Sequence, residues 1–119
     1  SGTAGRLRWM YGFKADMAGK TGTSQKNSDA WFMGVTPRMV AGAWVGGEDR
    51  SVHLNGAGDG ARVALPIFAG FMKKIYGDPS LGVSESDLFP VPVGAVVYQC
   101  NEEKGTATAV PREEDEFFD

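Results

Sequence analysis

Apolar residues come in short, dense runs separated by glycine, proline and small polar residues. Three of these runs lie between residues 13 and 46. Phe13 to Thr23 ends in a glycine-threonine stretch with little helical character. Asp29 to Thr36 contains Ala30-Trp31-Phe32-Met33-Gly34-Val35, and Val40 to Val45 reads Val-Ala-Gly-Ala-Trp-Val. The last two are apolar at consecutive positions, so both faces of a strand would be apolar, the pattern of a strand buried between layers. The connectors Ser24 to Ser28 and Thr36-Pro37-Arg38 are short, and short connectors make sequential strands antiparallel neighbours. The pattern predicts an antiparallel meander.

Beyond Gly46-Gly47-Glu48-Asp49 a loop rich in Gly and Asn runs to about Gly58. The period then changes. Asp59 can cap a helix from about Gly60 to Tyr76, and Gly77 can end it. Val63, Ile67, Phe71 and Ile75 recur at intervals of four and define a stripe, which Leu65, Phe68 and Met72 widen. Pro66 falls inside this pattern and predicts a kink or a late helix start. From Asp78 to Pro92 three prolines predict irregular structure. Gly94 to Cys100 is a candidate fourth strand, and residues 101–119 read as an acidic, disordered tail with Phe117 and Phe118 as an isolated apolar pair. The expected fold class is α+β: about three meander strands, a candidate fourth, and a C-terminal helix packed on one face. The expected organisation is a folded part over residues 1–100 and a tail over 101–119.

Composition narrows the functions. The 119 residues are 42% hydrophobic with 17 glycines and six prolines, enough for one modest core built from strands and turns. No apolar run reaches the roughly 18–20 residues of a membrane span, and no secretory opening is seen. Cys100 is the only cysteine and His53 the only histidine, so neither an internal disulfide nor the usual zinc spacing can be assembled. No metal or cofactor is implied, and His53 reads as a solvated loop residue. The net charge of −3 is unevenly spread. After Cys100 there are seven acids against two bases, whereas before Asp29 five bases face only Asp16. A mildly basic N-terminal part without a dense Lys/Arg cluster suits a small carboxylate ligand better than a nucleic acid.

The candidate chemistry lies at Lys20-Thr21-Gly22-Thr23. A phosphate-binding loop, G-x-x-x-x-G-K-[ST], would need glycine at position 14, where Lys14 stands, and a helix after the lysine, where a turn and an aromatic strand follow. The alternative is a K-T-G strand lining a cavity, in which a lysine supplies charge, glycine admits a ligand backbone and flanking hydroxyls bind a carboxylate. Taken alone, the tetrapeptide is equally an ordinary polar strand end. Trp9, Trp31 and Trp44 could stack on sugars but read as core packing. Tyr98 and Cys100 read as structural, and Asp29 as a partner for Lys26 or a turn cap.

The surroundings of the tetrapeptide add weight. Asp16-Met17-Ala18-Gly19-Lys20-Thr21-Gly22-Thr23-Ser24, the segments Asp29–Pro37 and Val40–Gly46, and Ala64-Leu65-Pro66-Ile67-Phe68 with Phe71-Met72 resemble the C-terminal part of the transpeptidase domain of class A (bifunctional) penicillin-binding proteins. The resemblance covers residues 16–76. It implies an incomplete piece of a serine β-lactamase/transpeptidase-like fold. The parent would be a serine-type D-Ala-D-Ala transpeptidase that cross-links peptidoglycan, anchored at the extracytoplasmic face of the inner membrane. It also implies site roles. Lys20 would tune the field at the nucleophile, and Thr21 and Thr23 would hold a terminal carboxylate. The Thr23 amide would be one oxyanion-hole donor, and Gly22 would leave room for the acyl chain. The expected partners are the peptidoglycan stem peptide, β-lactams and the upstream part of the same protein.

No serine in the chain has a lysine three positions later, and no S-x-N is present. The family's nucleophile would therefore lie upstream, where Gly2-Thr3-Ala4-Gly5 resembles the segment just before the K-T-G strand. The isolated chain is expected to be inactive and, with a sheet face uncovered, to self-associate. The alternatives are a non-catalytic cell-envelope interaction module and a D,D-carboxypeptidase or β-lactamase-type hydrolase that shares the same wall.

Overall fold

The computed structural model describes residues 2–54, 59–101 and 103–110. The chain falls into two units, one up to Phe89 and one from Pro90 onward. In the first unit, Ala18–Thr23 (β1), Asp29–Val35 (β2) and Val40–Gly46 (β3) form an antiparallel sheet in the order β1-β2-β3. This is the expected meander. β1 starts at Ala18, five residues later than the run of apolar residues suggests. Phe13 and Ala15 are buried from irregular backbone instead, because burial selects side chains wherever the chain can place them.

A short helix, Arg6–Trp9 (α1), carries the buried Leu7. The C-terminal helix forms in two parts. Asp59 accepts from the Arg62 amide at 2.9 Å and caps a wide π-type turn, Gly60–Ala64. The α-helix proper (α2, Leu65–Tyr76) begins one residue before Pro66, so the ring sits in the first turn, where its missing N–H costs nothing. The Arg6 guanidinium of α1 donates to the Ala61 carbonyl at 3.3 Å.

The core lies between the sheet and α2. Ala30, Phe32 and Ala43 form one cluster with Leu65, Phe68, Ala69 and Met72, which Leu7 and Phe13 join. The Phe32 and Phe68 ring centroids are 4.9 Å apart at 53°, a tilted aromatic pair. Gly34 makes this possible, since a Cβ there would collide with the Phe68 ring. The buried stripe of α2 runs through Leu65, Phe68, Ala69 and Met72. The expected centre, Ile67 and Phe71, is corrected: both are about half exposed and line a groove of about 360 Å³ beside Val40–Ala43. Two overlapping stripes of equal apolarity exist on this helix, and the pocket offered by Gly34 and Ala30 selects one.

The second unit contains a hairpin of Val97–Asn101 (β4) and Thr106–Val110 (β5). Gly105 has φ +60° in its turn, and the Lys104 amide donates to Asn101 Oδ1 at 3.1 Å. β4 answers the candidate fourth strand. β5 falls in the stretch expected to be a disordered tail and departs from that expectation over these five residues. The acidic residues from 111 on, Phe117 and Phe118, the loop residues 55–58 and the Cys100 side chain lie outside what is described. Among the described residues no helix is long and apolar enough to cross a membrane.

Candidate functional site

β1 is an end of the sheet, bonded on one side only, to β2. Its register sets Lys20 opposite Met33, Thr21 opposite Phe32, Gly22 opposite Trp31 and Thr23 opposite Ala30. Side chains alternate along a strand. Thr21 and Thr23 therefore belong to the face of Phe32 and Ala30, which α2 backs, while Lys20 belongs to the face of Met33 and Trp31. The two hydroxyls and the ammonium can meet one ligand only at the edge of the sheet.

The backbone points the same way. The Ser24 amide donates to the Asp29 carbonyl at 2.9 Å, which makes Ser24 and Asp29 a hydrogen-bonded pair. Bonded and non-bonded pairs alternate in an antiparallel ladder. Gly22 and Lys20 then bond to β2, and Thr21 and Thr23 turn their N–H and C=O groups outward to the open edge. The Lys20 Nζ agrees, since it donates to the Thr21 carbonyl at 2.8 Å and so rests at that edge. The edge thus presents outward amides, an ammonium and two hydroxyls, a set suited to an extended anionic ligand.

Gly60 organises one of these hydroxyls. Its amide donates to Thr23 Oγ1 at 3.1 Å. With a lone pair engaged, the Thr23 hydroxyl keeps its own proton free to donate. Gly60 is buried, and a Cβ there would collide with the Trp31 carbonyl and lie 3.0 Å from the Gly22 carbonyl. Only glycine allows this approach. Sequence reasoning treats Gly60 simply as a helix start; a glycine placed directly after a capping aspartate is the available signal. Gly22 differs. The nearest atom to a Cβ there is Trp31 Cβ at 3.4 Å, an ordinary contact. Among the described residues, no packing contact demands a glycine at 22.

Asp29 does not pair with Lys26. It accepts from Trp44 Nε1 at 3.0 Å and from Ser28 Oγ at 3.3 Å, and its amide donates to Ser24 Oγ at 2.8 Å. The Trp44 bond, ahead of the hydroxyls and the Arg50 charge, holds its carboxyl below the usual range despite partial desolvation. The tryptophans are not in the core: Trp9 is 70% exposed, Trp31 46% and Trp44 48%. Trp31 and Trp44 sit opposite each other on the uncovered sheet face with ring centroids 6.4 Å apart. His53 is exposed, as expected of a loop residue.

The chain is homologous over about half its length to proteins named penicillin-binding protein 1A, and its α+β fold is shared with a solved structure of that name. The relatives are named penicillin-binding protein 1A. That of Rickettsia typhi is 48% identical over 66 residues, 55% of this chain and 8% of the relative. That of Neisseria lactamica is 36% identical over 75 residues, 62% of this chain and 9% of the relative. That of Aquifex aeolicus is 48% identical over 59 residues, 50% of this chain and 8% of the relative. The crystal structure of penicillin-binding protein 1A from Haemophilus influenzae superposes on 91% of this chain and 15% of its own, with a TM-score of 0.66 and 25% identity. No protein-family model matches the chain. The chain therefore spans less than a tenth of the length of these relatives. The α+β class and the resemblance to penicillin-binding proteins read from the sequence are borne out.

Proposed function

We propose that this chain forms one wall of a serine D,D-transpeptidase site that cross-links peptidoglycan peptides and is acylated by β-lactams. The observation that carries the reading is the open edge of β1, where Thr21 and Thr23 turn their backbone outward between Lys20 and two hydroxyls. Thr21 and Thr23 bind the terminal carboxylate of the ligand, the Thr23 hydroxyl already oriented by the Gly60 amide. The outward Thr23 amide is one of two donors to the oxyanion that forms as the carbonyl is attacked. The Lys20 ammonium raises the positive field around that charge, and the missing side chain at Gly22 leaves room for the acyl chain. The serine that attacks comes from another part of the protein. Ser24 is unsuited to be the nucleophile, because its Oγ accepts from the Asp29 amide and shares a 2.8 Å bond with Ser28 Oγ. The parent works at the extracytoplasmic face of the membrane, where its substrate lies.

Two experiments test this. The isolated chain is expected to give no covalent adduct with fluorescent penicillin, and a labelled band would overturn that. In the complete parent protein, Thr21→Val is expected to slow acylation by penicillin about tenfold or more, the scale of one lost hydrogen bond to a charged group. Unchanged acylation would remove the hydroxyl from the mechanism.

A further inference from the structure

β3 is the other end of the sheet, bonded to β2 alone. The Thr36 amide donates to the Met39 carbonyl at 2.8 Å, so these two are a hydrogen-bonded pair. Alternation along the ladder then turns the N–H and C=O groups of Ala41, Ala43 and Val45 towards β2. Those of Val40, Gly42, Trp44 and Gly46 turn outward. Exposed edges usually carry a charged residue or a proline that keeps other strands off. Val40-Ala41-Gly42-Ala43-Trp44-Val45-Gly46 has neither. Apolar surface flanks this edge on both sides. Ile67 and Phe71 stay about half exposed in the groove on the helix side, and Val40 and Trp44 are exposed on the open face. Outward backbone with apolar flanks is the form of an edge that accepts another strand.

The sequence around β3 is complementary to itself. Full overlap of two antiparallel copies of this seven-residue strand places a two-fold axis at its middle residue, Ala43. Val40 then faces the partner's Gly46, and Gly42 faces the partner's Trp44. All four are outward-bonding positions, so the ladder continues in phase with about eight new hydrogen bonds. The bulky Trp44 falls opposite a glycine. On the helix side the small residues Ala41, Ala43 and Val45 meet and leave room for Ile67 and Phe71 to close over the seam. Beyond the strand ends the same axis sets Arg38 opposite the partner's Glu48. Glu48 is exposed, and Arg38 keeps most of its side chain exposed beside Asp87 at 3.5 Å. The neighbouring registers lose this match. An axis at Gly42 sets Arg38 against a glycine, and an axis at Trp44 sets it against the partner's Arg50.

We propose that two copies of this chain pair through β3, antiparallel about Ala43, and join their three-stranded sheets into one of six strands. Each β1 edge then lies at an outer end of the joint sheet, roughly 24 Å from the other at about 4.8 Å per strand, and stays open. The pairing is independent of what β1 binds. Covering Val40, Trp44, Ile67 and Phe71 buries roughly 500 Å² per copy, the low end for a specific interface.

The test is sedimentation of the chain together with amide hydrogen exchange by NMR, each between about 20 μM and 1 mM, a range suited to so small an interface. A dimer is expected at the upper end, with the Gly42 and Trp44 amides exchanging at least about tenfold more slowly than at the lower end. The Thr21 and Thr23 amides, outward on β1, should exchange equally at both. Glu48→Arg is expected to weaken the dimer about threefold or more, and Arg38→Glu added to it to restore the dimer. Both side chains are exposed, so the fold should be kept. A monomer throughout overturns the proposal. So does a dimer whose Gly42 and Trp44 amides exchange as fast as in dilute solution, since stacked open faces would then hold it. Protection of those amides in a monomer means that another segment covers β3 and overturns the pairing as well. A charge swap without effect overturns the register about Ala43.

Discussion

The two faces of the sheet are built from the same strands and are comparably apolar, yet they have opposite fates. Ala30, Phe32 and Ala43 point towards α2 and are buried. Their neighbours Trp31, Met33, Val35, Val40 and Trp44 point the other way and stay about half exposed or more. The covered face is cut to a partner present in the chain, with Gly34 admitting the Phe68 ring. The open face carries large side chains in the cross-strand pairs Trp31–Trp44 and Val35–Val40, and they stay exposed to solvent. A patch of this kind on a soluble surface marks an interaction site. Apolarity therefore says that a face is fit for burial, and the facing residues decide whether this chain does the burying.

The comparison can be broken most directly in the core. Phe68→Ala is expected to cost about 3–5 kcal/mol, while Val35→Thr on the open face should stay within about 0.5 kcal/mol; urea unfolding of both compares the faces. Gly34→Ala, which would push a Cβ into the Phe68 ring, is expected to cost about 1–3 kcal/mol by overpacking. At the site edge, Gly22→Ala should leave stability within about 0.5 kcal/mol, because only an ordinary 3.4 Å contact awaits it. A large loss there would mean that this chain, not a ligand, requires the glycine.

The open face itself is expected to drive self-association. Light scattering at high concentration should give more than the mass of one chain, and Val40→Lys should return it to that mass. A monomer at every concentration would show that the exposed tryptophans need no cover. The smallest effect is electrostatic. Asp29 has a lowered carboxyl pKa in the folded chain, so its contribution is complete above the ordinary carboxylate range, about 4. It is lost as pH falls through the lowered native value. Trp44 fluorescence should report this as an acid transition, absent in Asp29→Asn.

Much of this is legible in the sequence for a physical reason. Strand runs bounded by short polar turns leave few topologies, and the meander follows. The tetrapeptide at residues 20–23 can be placed on a strand because no helix signal surrounds it. What cannot be read are choices between equivalent options. With apolar residues on consecutive positions, period two carries no information about which face is covered, so the pattern assigns the tryptophans to the core. On α2, the stripe through Ile67 and Phe71 competes with the one through Phe68 and Met72, and Gly34 on another strand decides between them. The strand at Thr106–Val110 is hidden by the acids around it, although its threonines and valine favour strands. The division of Lys20 from Thr21 and Thr23 across two faces follows from simple alternation, but its meaning emerges only once β1 is known to be an edge.

The Gly60 amide reaches Thr23 across 37 positions of sequence. The tetrapeptide and the group that orients it are thus separate in the chain and joined only by folding. A synthetic strand bearing Lys-Thr-Gly-Thr, or a graft of it onto another sheet edge, would reproduce the letters and leave the hydroxyl rotor unset. Whatever selectivity the wall has travels with the turn at Asp59–Gly60, and a transplant should carry both.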